Sequence, residues 1–529
     1  MVASPASRKP STTSTRSLVS IIGASSVGTL IEWYDFYIFG SLATVLATKF
    51  FPEGNPTAAF LSTLATFAAG FVVRPFGALF FGRLGDLIGR KYTFMVTLLL
   101  MGGATFAIGL IPSYETIGFL APTLVLILRL LQGLALGGEY GGAATYVAEH
   151  SPVEKRGYWT SWIQTTATAG LFISLLVIMA TRVSLSKEAF DDWGWRVPFW
   201  VSIIMVAVSY IIRQNMHESP LFAKAKAEGK TSANPLKESF GNKYNFKFVL
   251  LALFGATMGQ GVVRYTGQFY ALSFLQTICN VDDNQVNVII ALGLLLGTPF
   301  FVIFASLSDK IGRKGIMLAG MLLAIICYRP IFEKIYQTTN LKNKEEIVAN
   351  TKVEVKRALA SGSEVDSLIT TTTTKEFTDG TKYKEVKKVT ILADASKEAP
   401  KPDVKKTTTI NNSDRNTLVL MVFILLLFVT MAYGPIAAFL VEMFPTRIRY
   451  SSMSLPYHIG NGVFGGLMPA IATYLATRAK DINDAAEKAG EAIVNTQPYL
   501  EGLWYPIILA GVSFVIGLLY IKEDKNAND

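Results

Sequence analysis

Gly85-Asp86-Leu87-Ile88-Gly89-Arg90-Lys91 and Ser308-Asp309-Lys310-Ile311-Gly312-Arg313-Lys314 share five of seven residues, and Asp86 and Asp309 lie 223 positions apart. Each follows a long apolar run. A second pair ends later apolar runs. One copy is Val147-Ala148-Glu149-His150-Ser151-Pro152, with Arg156-Gly157 after it; the other is Val441-Glu442-Met443-Phe444-Pro445-Thr446-Arg447. From Asp86 to Glu149 is 63 residues, but from Asp309 to Glu442 is 133. The surplus matches a polar stretch at about 338–415. The chain is a duplicated unit with one insertion in its second copy.

The duplicated unit is a membrane body. Of 529 residues, 51 % are hydrophobic and 17 % charged, with mean hydropathy +0.38. Soluble proteins carry about a quarter charged residues, and a soluble fold of this size must show polar surface. A single soluble domain is excluded, and 12 % aromatics exclude a disordered chain. Two cysteines, Cys279 and Cys327, are too few for a disulfide scaffold and read as free thiols. A bilayer core about 30 Å thick needs about 20 apolar residues per helix. Twelve runs meet this, from about 18–48 to 503–521. The expected fold is an all-α membrane protein with twelve transmembrane helices in two six-helix halves, a transporter architecture. The segments read as an N-terminal tail (1–17), a first half (18–213), a central loop (214–246), a second half (247–521) containing the insertion (338–415), and a C-terminal tail (522–529). The first run has no small-residue cleavage site and carries Glu32 and Asp35, so it reads as a retained helix.

With twelve spans both termini share one side. Twenty-two lysines and arginines fall on that side, seven of them in the central loop counted from Arg213 to Lys247. The short loops opposite hold chiefly Lys49, Lys187, Arg478, Lys480 and Lys488. The termini are expected to be cytoplasmic, in the inner (plasma) membrane, and the insertion extracytoplasmic. Of the net charge of +10, the insertion carries +3, and the remaining +7 belongs to the cytoplasmic loops. Within the insertion, Thr370 to Thr374 and the alternating Val386, Val389 and Ile391 flank Asp379-Gly380, the pattern of a β-hairpin. A hairpin alone is marginal, so the expectation is a mobile decoration, with a small subdomain as the alternative.

Gly82-Arg83 through Lys91 resembles the loop signature of the major facilitator superfamily. Four further blocks resemble its metabolite:proton symporter family: Ile31-Glu32-Trp33-Tyr34-Asp35-Phe36-Tyr37; Arg129-Leu130-Leu131-Gln132-Gly133 leading into Gly137-Gly138-Glu139-Tyr140-Gly141-Gly142-Ala143; Trp195-Arg196-Val197-Pro198-Phe199; and Glu442 to Arg447. The resemblance covers nearly the whole chain except the tails and the insertion. It implies proton-coupled import of a small anionic or zwitterionic metabolite, of the 2-oxoglutarate, citrate, shikimate, proline or betaine type, by alternating access. The insertion departs from the family pattern.

Ionisable groups inside a span are functional candidates by default. Glu32 and Asp35, at i and i+3, share a helix face. Asp35 lies roughly 22 Å in from Ser20, and Arg129 roughly 10 Å in from Pro122 on an oppositely directed helix. The depths nearly coincide, so an Asp35–Arg129 or Glu32–Arg129 contact is open, and with it a proton-coupling role; a permanent structural pair is the alternative. Arg264, among Gln260, Tyr265 and Gln268, either binds a carboxylate or snorkels outward. Tyr34, Tyr37, His458 and Asn461 complete the substrate-binding candidates, although a lone membrane histidine is more often a packing residue. Arg329 and Glu333 read as a local pair at i and i+4, and Arg74 as structural or gating.

Asp86 and Arg90, mirrored by Asp309 and Arg313, cap helices and carry positive-inside charge. The resemblance implies more, a cytoplasmic latch in which Asp86 meets a neighbouring helix N-terminus. Gly85, Gly89, Glu139, Glu149, Glu442 and Arg447 join them as gate candidates. The sequence shows no Walker loop, no metal-ligand cluster, no nucleophile–base constellation and no basic groove for nucleic acid. The expectation is therefore a non-enzyme without cofactor or metal, with the proton as coupling ion and the lipid bilayer and a small molecule as partners, working as a monomer. A facilitator or exchanger and a sodium-coupled carrier share this fold. A membrane sensor using the insertion is the reading from another class.

Overall fold

The computed structural model describes residues 15–51, 66, 69–214, 216–359, 367–392 and 402–523. In a bilayer, backbone N–H and C=O groups are satisfied within helices, so each apolar run folds as one. The first copy gives α1 (Thr15–Ser41), α2 (Arg74–Leu87), α3 (Arg90–Ile108), α4 (Leu120–His150), α5 (Arg156–Ser184) and α6 (Val197–Gln214). The second gives α7 (Lys243–Ile278), α8 (Asp283–Ile311), α9 (Arg313–Thr339), α10 (Asn412–Met443), α11 (Arg449–Ala489) and α12 (Trp504–Tyr520). Among the described residues, ten helical runs are long and apolar enough to cross a membrane. The run expected over 58–82 and both tails lie partly outside the described residues.

Small residues set how closely the helices approach. A Cβ on Gly133 of α4 would lie 2.1 Å from the Gly70 carbonyl oxygen, so only glycine lets this backbone contact form beside Arg74. A Cβ on Gly261 of α7 would lie 2.3 Å from the Gly460 carbonyl oxygen of α11, so Arg264 and His458 share one neighbourhood. The two halves meet along α5 against α8 and α2 against α11.

Between α9 and α10 the chain forms a four-stranded antiparallel meander: β1 (Lys352–Leu359), β2 (Ser367–Glu376), β3 (Lys382–Ile391) and β4 (Asp403–Thr409), in that order. Its centre is the β2–β3 hairpin, closed at Asp379-Gly380 with Gly380 at φ +85°. The sheet is more than the expected loose hairpin. β4 bonds to the α7–α8 junction, and Lys344 ties the β2–β3 turn to the start of α10 through Asp379 and Asp414 at 2.5 Å each. Cys279 and Cys327 are both free.

Candidate functional site

α1, α2, α4, α5, α7, α10 and α11 enclose a small cavity lined by Thr29, Trp33, Arg74, Tyr140, Gln164, Arg264, Tyr265, Tyr433, Tyr457, His458 and Asn461, among others. Arg264 is 3 % exposed. Its Nη1 donates to Tyr433 Oη at 3.1 Å, and its guanidinium lies 4.5 Å from the ring centres of Trp33 and Tyr433. A head clasped between two rings has not snorkelled. Its Nε and Nη2 have no hydrogen-bond partner among the described residues. Arg74 rests over Phe71 at 4.2 Å, and its Nε is also unpartnered among the described residues. Neither arginine forms an ion pair with a described carboxylate, and no carboxylate lines the described cavity.

The remaining lining is tied together. Gln164 donates to Tyr140 Oη at 2.8 Å, the Tyr433 and Tyr457 hydroxyls are 2.7 Å apart, and the Tyr140 and Tyr457 rings stack with centres at 3.7 Å. The side-chain amides of Gln260 and Asn461 bond to each other both ways, at 2.9 and 3.2 Å. His458 is buried with Nε2 unpartnered among the described residues. Tyr37 stands beside Trp33, ring centres 6.0 Å apart. Four candidates lie off the lining: Tyr37 and Gln260, which adjoin it through Trp33 and Asn461, and Tyr34 and Gln268. Tyr34 points into the first half's apolar core and donates to the Pro198 carbonyl at 2.7 Å, because its helix face turns toward α6. Gln268 sits in a π-helical stretch, Thr266–Tyr270, which shifts the side-chain phase away from the lining face.

Asp35 and Arg129 belong to one buried chain of hydrogen bonds. Thr105 Oγ1 donates to Asp35 Oδ2 at 2.5 Å, Gln132 Nε2 to Thr105 Oγ1 at 2.5 Å, and Arg129 Nη1 to Gln132 Oε1 at 2.8 Å. Thr105 and Gln132, from α3 and α4, are members of this chain of hydrogen bonds that sequence reasoning did not single out. The Glu32 side chain lies outside the described residues.

At one end of the bundle the repeated motifs interlock across the halves. Asp86 accepts from the backbone N–H of Tyr450 at 3.3 Å and Ser451 at 2.8 Å, at the N-terminus of α11, while Arg90 holds it at 3.1 Å. Asp309 accepts from Gly157 and Tyr158 at 2.8 Å each, at the N-terminus of α5, while Arg313 holds it at 2.7 Å. Each carboxylate meets the positive end of a helix from the other half. Glu149 pairs with Arg449 at 2.9 Å and Arg90 at 3.5 Å, and Glu442 with Arg313 at 2.6 Å and Arg156 at 3.5 Å. Gly89 and Gly312 start α3 and α9 with φ +129° and +106°, which favours glycine. Gly85 makes room for the Tyr450 ring, 2.2 Å from where its Cβ would lie.

Three expectations are corrected, those for Arg447, Arg213 and Arg329. Arg447 is not in this network; its side chain is 56 % exposed and pairs with Glu238 at 2.6 Å. Arg449 takes the place expected for it, and the signal was present, because Glu149 to Arg156 and Glu442 to Arg449 are both seven residues. Glu139 pairs with Arg213 at 2.6 Å, with Thr97 donating to its other oxygen at 2.8 Å. Arg213, counted as a loop cation, is therefore fully buried, as burying Glu139 requires a partner. Arg329 turns to Glu501 at 3.9 Å and the Leu500 carbonyl rather than to Glu333.

A helical membrane body of two interlocked copies around a cavity is the build of a carrier rather than an enzyme. The chain belongs to the family described as Sugar (and other) transporter, whose profile matches residues 21–353. It is 35 % identical over 321 residues to the proline/betaine transporter of Escherichia coli K12, matching 59 % of this chain and 63 % of that one. It spans less than two thirds of that relative's length. It is 28 % identical over 519 residues to the alpha-ketoglutarate permease of the same organism, covering 98 % and 97 %, and 30 % identical over 472 residues to its inner membrane metabolite transport protein YhjE, covering 86 % and 88 %. The fold matches that of the proton:xylose symporter XylE bound to 6-bromo-6-deoxy-D-glucose, at TM-score 0.64 and 15 % identity over 95 % of this chain and 94 % of that one.

Proposed function

We propose that this protein imports a small carboxylate together with a proton, by rocking of two six-helix halves. In this reading α1 and α2 supply the two spans that complete twelve, the interlocked end and both termini face the cytoplasm, and the sheet between the ninth and tenth spans faces outward. The observation that carries the substrate class is the cavity lined by two guanidiniums, buried Arg264 and half-buried Arg74, with no carboxylate on its described lining. Guanidiniums are matched by planar carboxylates, and two of them favour a substrate with two acid groups. The names of the alpha-ketoglutarate permease and of the citrate-proton symporter of Salmonella typhi, 27 % identical over 480 residues, support it. A zwitterion of the proline/betaine type is the second reading, favoured by the ring faces of Tyr140 and Tyr457 and the likeness to proline/betaine transporters.

The proton would load on Asp35, whose neighbours Thr105, Gln132 and Arg129 give it a hydrogen-bonded path to a cation. The Asp86 and Asp309 contacts would close the inner gate while the outer one is open. Purified protein in proteoliposomes with an acidic exterior should accumulate a radiolabelled dicarboxylate above its equilibrium level and lose it on adding a protonophore. Equal accumulation driven by sodium alone, or equilibration without accumulation, would replace this reading with a sodium-coupled carrier or a facilitator.

A further inference from the structure

On the described lining of the cavity, four buried side-chain atoms have no hydrogen-bond partner among the described residues. Three belong to the guanidiniums of Arg74 and Arg264, which only donate. The fourth is Nε2 of His458, a residue only 3 % exposed. Its ring is set from two sides. On the α7 side, Thr257 Oγ1 donates to the Pro456 carbonyl at 2.8 Å, and a Cβ on Gly460 would lie 2.6 Å from the Thr257 backbone. The α11 backbone is thus locked against α7 just before and just after His458, where it passes into a π-helical stretch, Ile459–Gly465. On the α4 side, the ring meets the backbone carbonyl of Gly137, and a Cβ there would lie 2.2 Å from the Arg74 carbonyl oxygen. A carbonyl oxygen only accepts, so the ring nitrogen that meets it, Nδ1, carries the hydrogen. In neutral imidazole Nε2 is then a bare lone pair.

We infer that His458 is a specificity-determining residue, taking a hydrogen from a hydroxyl on the carbon chain of the substrate, and that the transported acid is a hydroxy dicarboxylate. The guanidiniums supply donors for the carboxylates, and Nε2 asks for a donor in return. An oxo group would set one lone pair against another, and a methylene would leave Nε2 unpaired. An ammonium carries the needed hydrogen but places a cation beside two guanidiniums. This assignment rests on the carboxylate-import reading and narrows it.

Calorimetric titration of the purified full-length protein tests it with glutarate, 2-oxoglutarate and each enantiomer of 2-hydroxyglutarate, one skeleton bearing hydrogen, an oxo group or a hydroxyl. The parent should bind one enantiomer of the hydroxy acid about tenfold more tightly than either analogue. In His458→Leu the preference should fall to about twofold or less, through weaker binding of the hydroxy acid, with the Kd for glutarate little changed. His458→Phe keeps a ring without its nitrogens and stands in should His458→Leu fold poorly. His458→Gln, whose amide oxygen takes the place of Nε2, should retain a preference of about fivefold. Equal affinities in the parent, or an undiminished preference in His458→Leu or His458→Phe, overturn the assignment and leave the carboxylate reading standing. A parent that binds none of these acids removes the carboxylate reading and the assignment with it.

Discussion

Arg264 keeps two guanidinium nitrogens without a partner among the described residues while its third bonds to Tyr433. A buried cation in that condition is prepared for an anion that arrives and leaves. A hydrogen bond to a charged group is worth about 1.5–3 kcal/mol, so Arg264→Ala should raise the apparent KM for the transported carboxylate ten- to 150-fold. Tyr433→Phe, which removes only the hydroxyl that accepts from Arg264, should raise it two- to fivefold. Initial-rate uptake in proteoliposomes measures both, and an unchanged KM in Arg264→Ala would take the residue out of the site. At Asp35, replacement by Asn keeps the shape but cannot shed a proton. Uptake against a gradient should cease while exchange of internal for external substrate continues. At this scale the sequence was legible wherever a charge stood in an apolar run, as with Asp35, Arg129 and Arg264. It was illegible where position along a helix left the facing undecided. Tyr34 and Tyr37 are three residues apart in one motif, yet Tyr34 bonds to Pro198 and Tyr37 stands by Trp33. Arg213 sits at the end of α6 as a loop cation would, and only its burial with Glu139 reveals otherwise.

The insertion's fastening shows what an element can lose with pH. Burial opposes the charge on Lys344, but Asp379 and Asp414 outweigh it and hold the ammonium above the ordinary lysine range. Burial likewise opposes the Asp379 carboxylate, which Lys344 and the Thr381 amide nevertheless hold below its usual range. A raised lysine contributes stability that is complete below its ordinary value, about 10.4, and lost as pH climbs through the folded value. A lowered aspartate contributes stability that is complete above its ordinary value, about 3.9, and lost as pH falls through the folded one. The turn at 377–381 should therefore hold firmly between about pH 5 and 9 and loosen below about pH 4. Lys344→Met leaves two carboxylates facing each other; it should loosen the turn at neutral pH and tighten it again near pH 4, as one of them takes up a proton. Hydrogen exchange of those amides, corrected for the intrinsic rate, reads both effects. Asp379-Gly380 announced this turn in the sequence. The flanking β1 and β4 were not singled out: β1 alternates charged residues with only Val353 and Val355, β4 has a single apolar residue, Val404, and pairing with a neighbour decided their state.

The whole molecule is built on exchange between its copies, because each half caps a helix of the other: Asp86 caps α11 and Asp309 caps α5. The duplication was legible from the paired motifs, but the crossing was not, since nothing in a repeat says whether its parts bond within a copy or between copies. If the halves rock as rigid bodies, both caps break in the same step, and their contributions to the closed state must add. Asp86→Asn and Asp309→Asn each remove a charge from a helix N-terminus and from an arginine, worth about 1.5 kcal/mol, or tenfold toward the open inner gate. The double variant should then shift the equilibrium about a hundredfold. Spin labels placed on opposite halves at the interlocked end, read as distance distributions, give the open fraction in each variant. A double variant no more open than either single one would mean that the caps release in separate steps, and that the halves flex rather than rock.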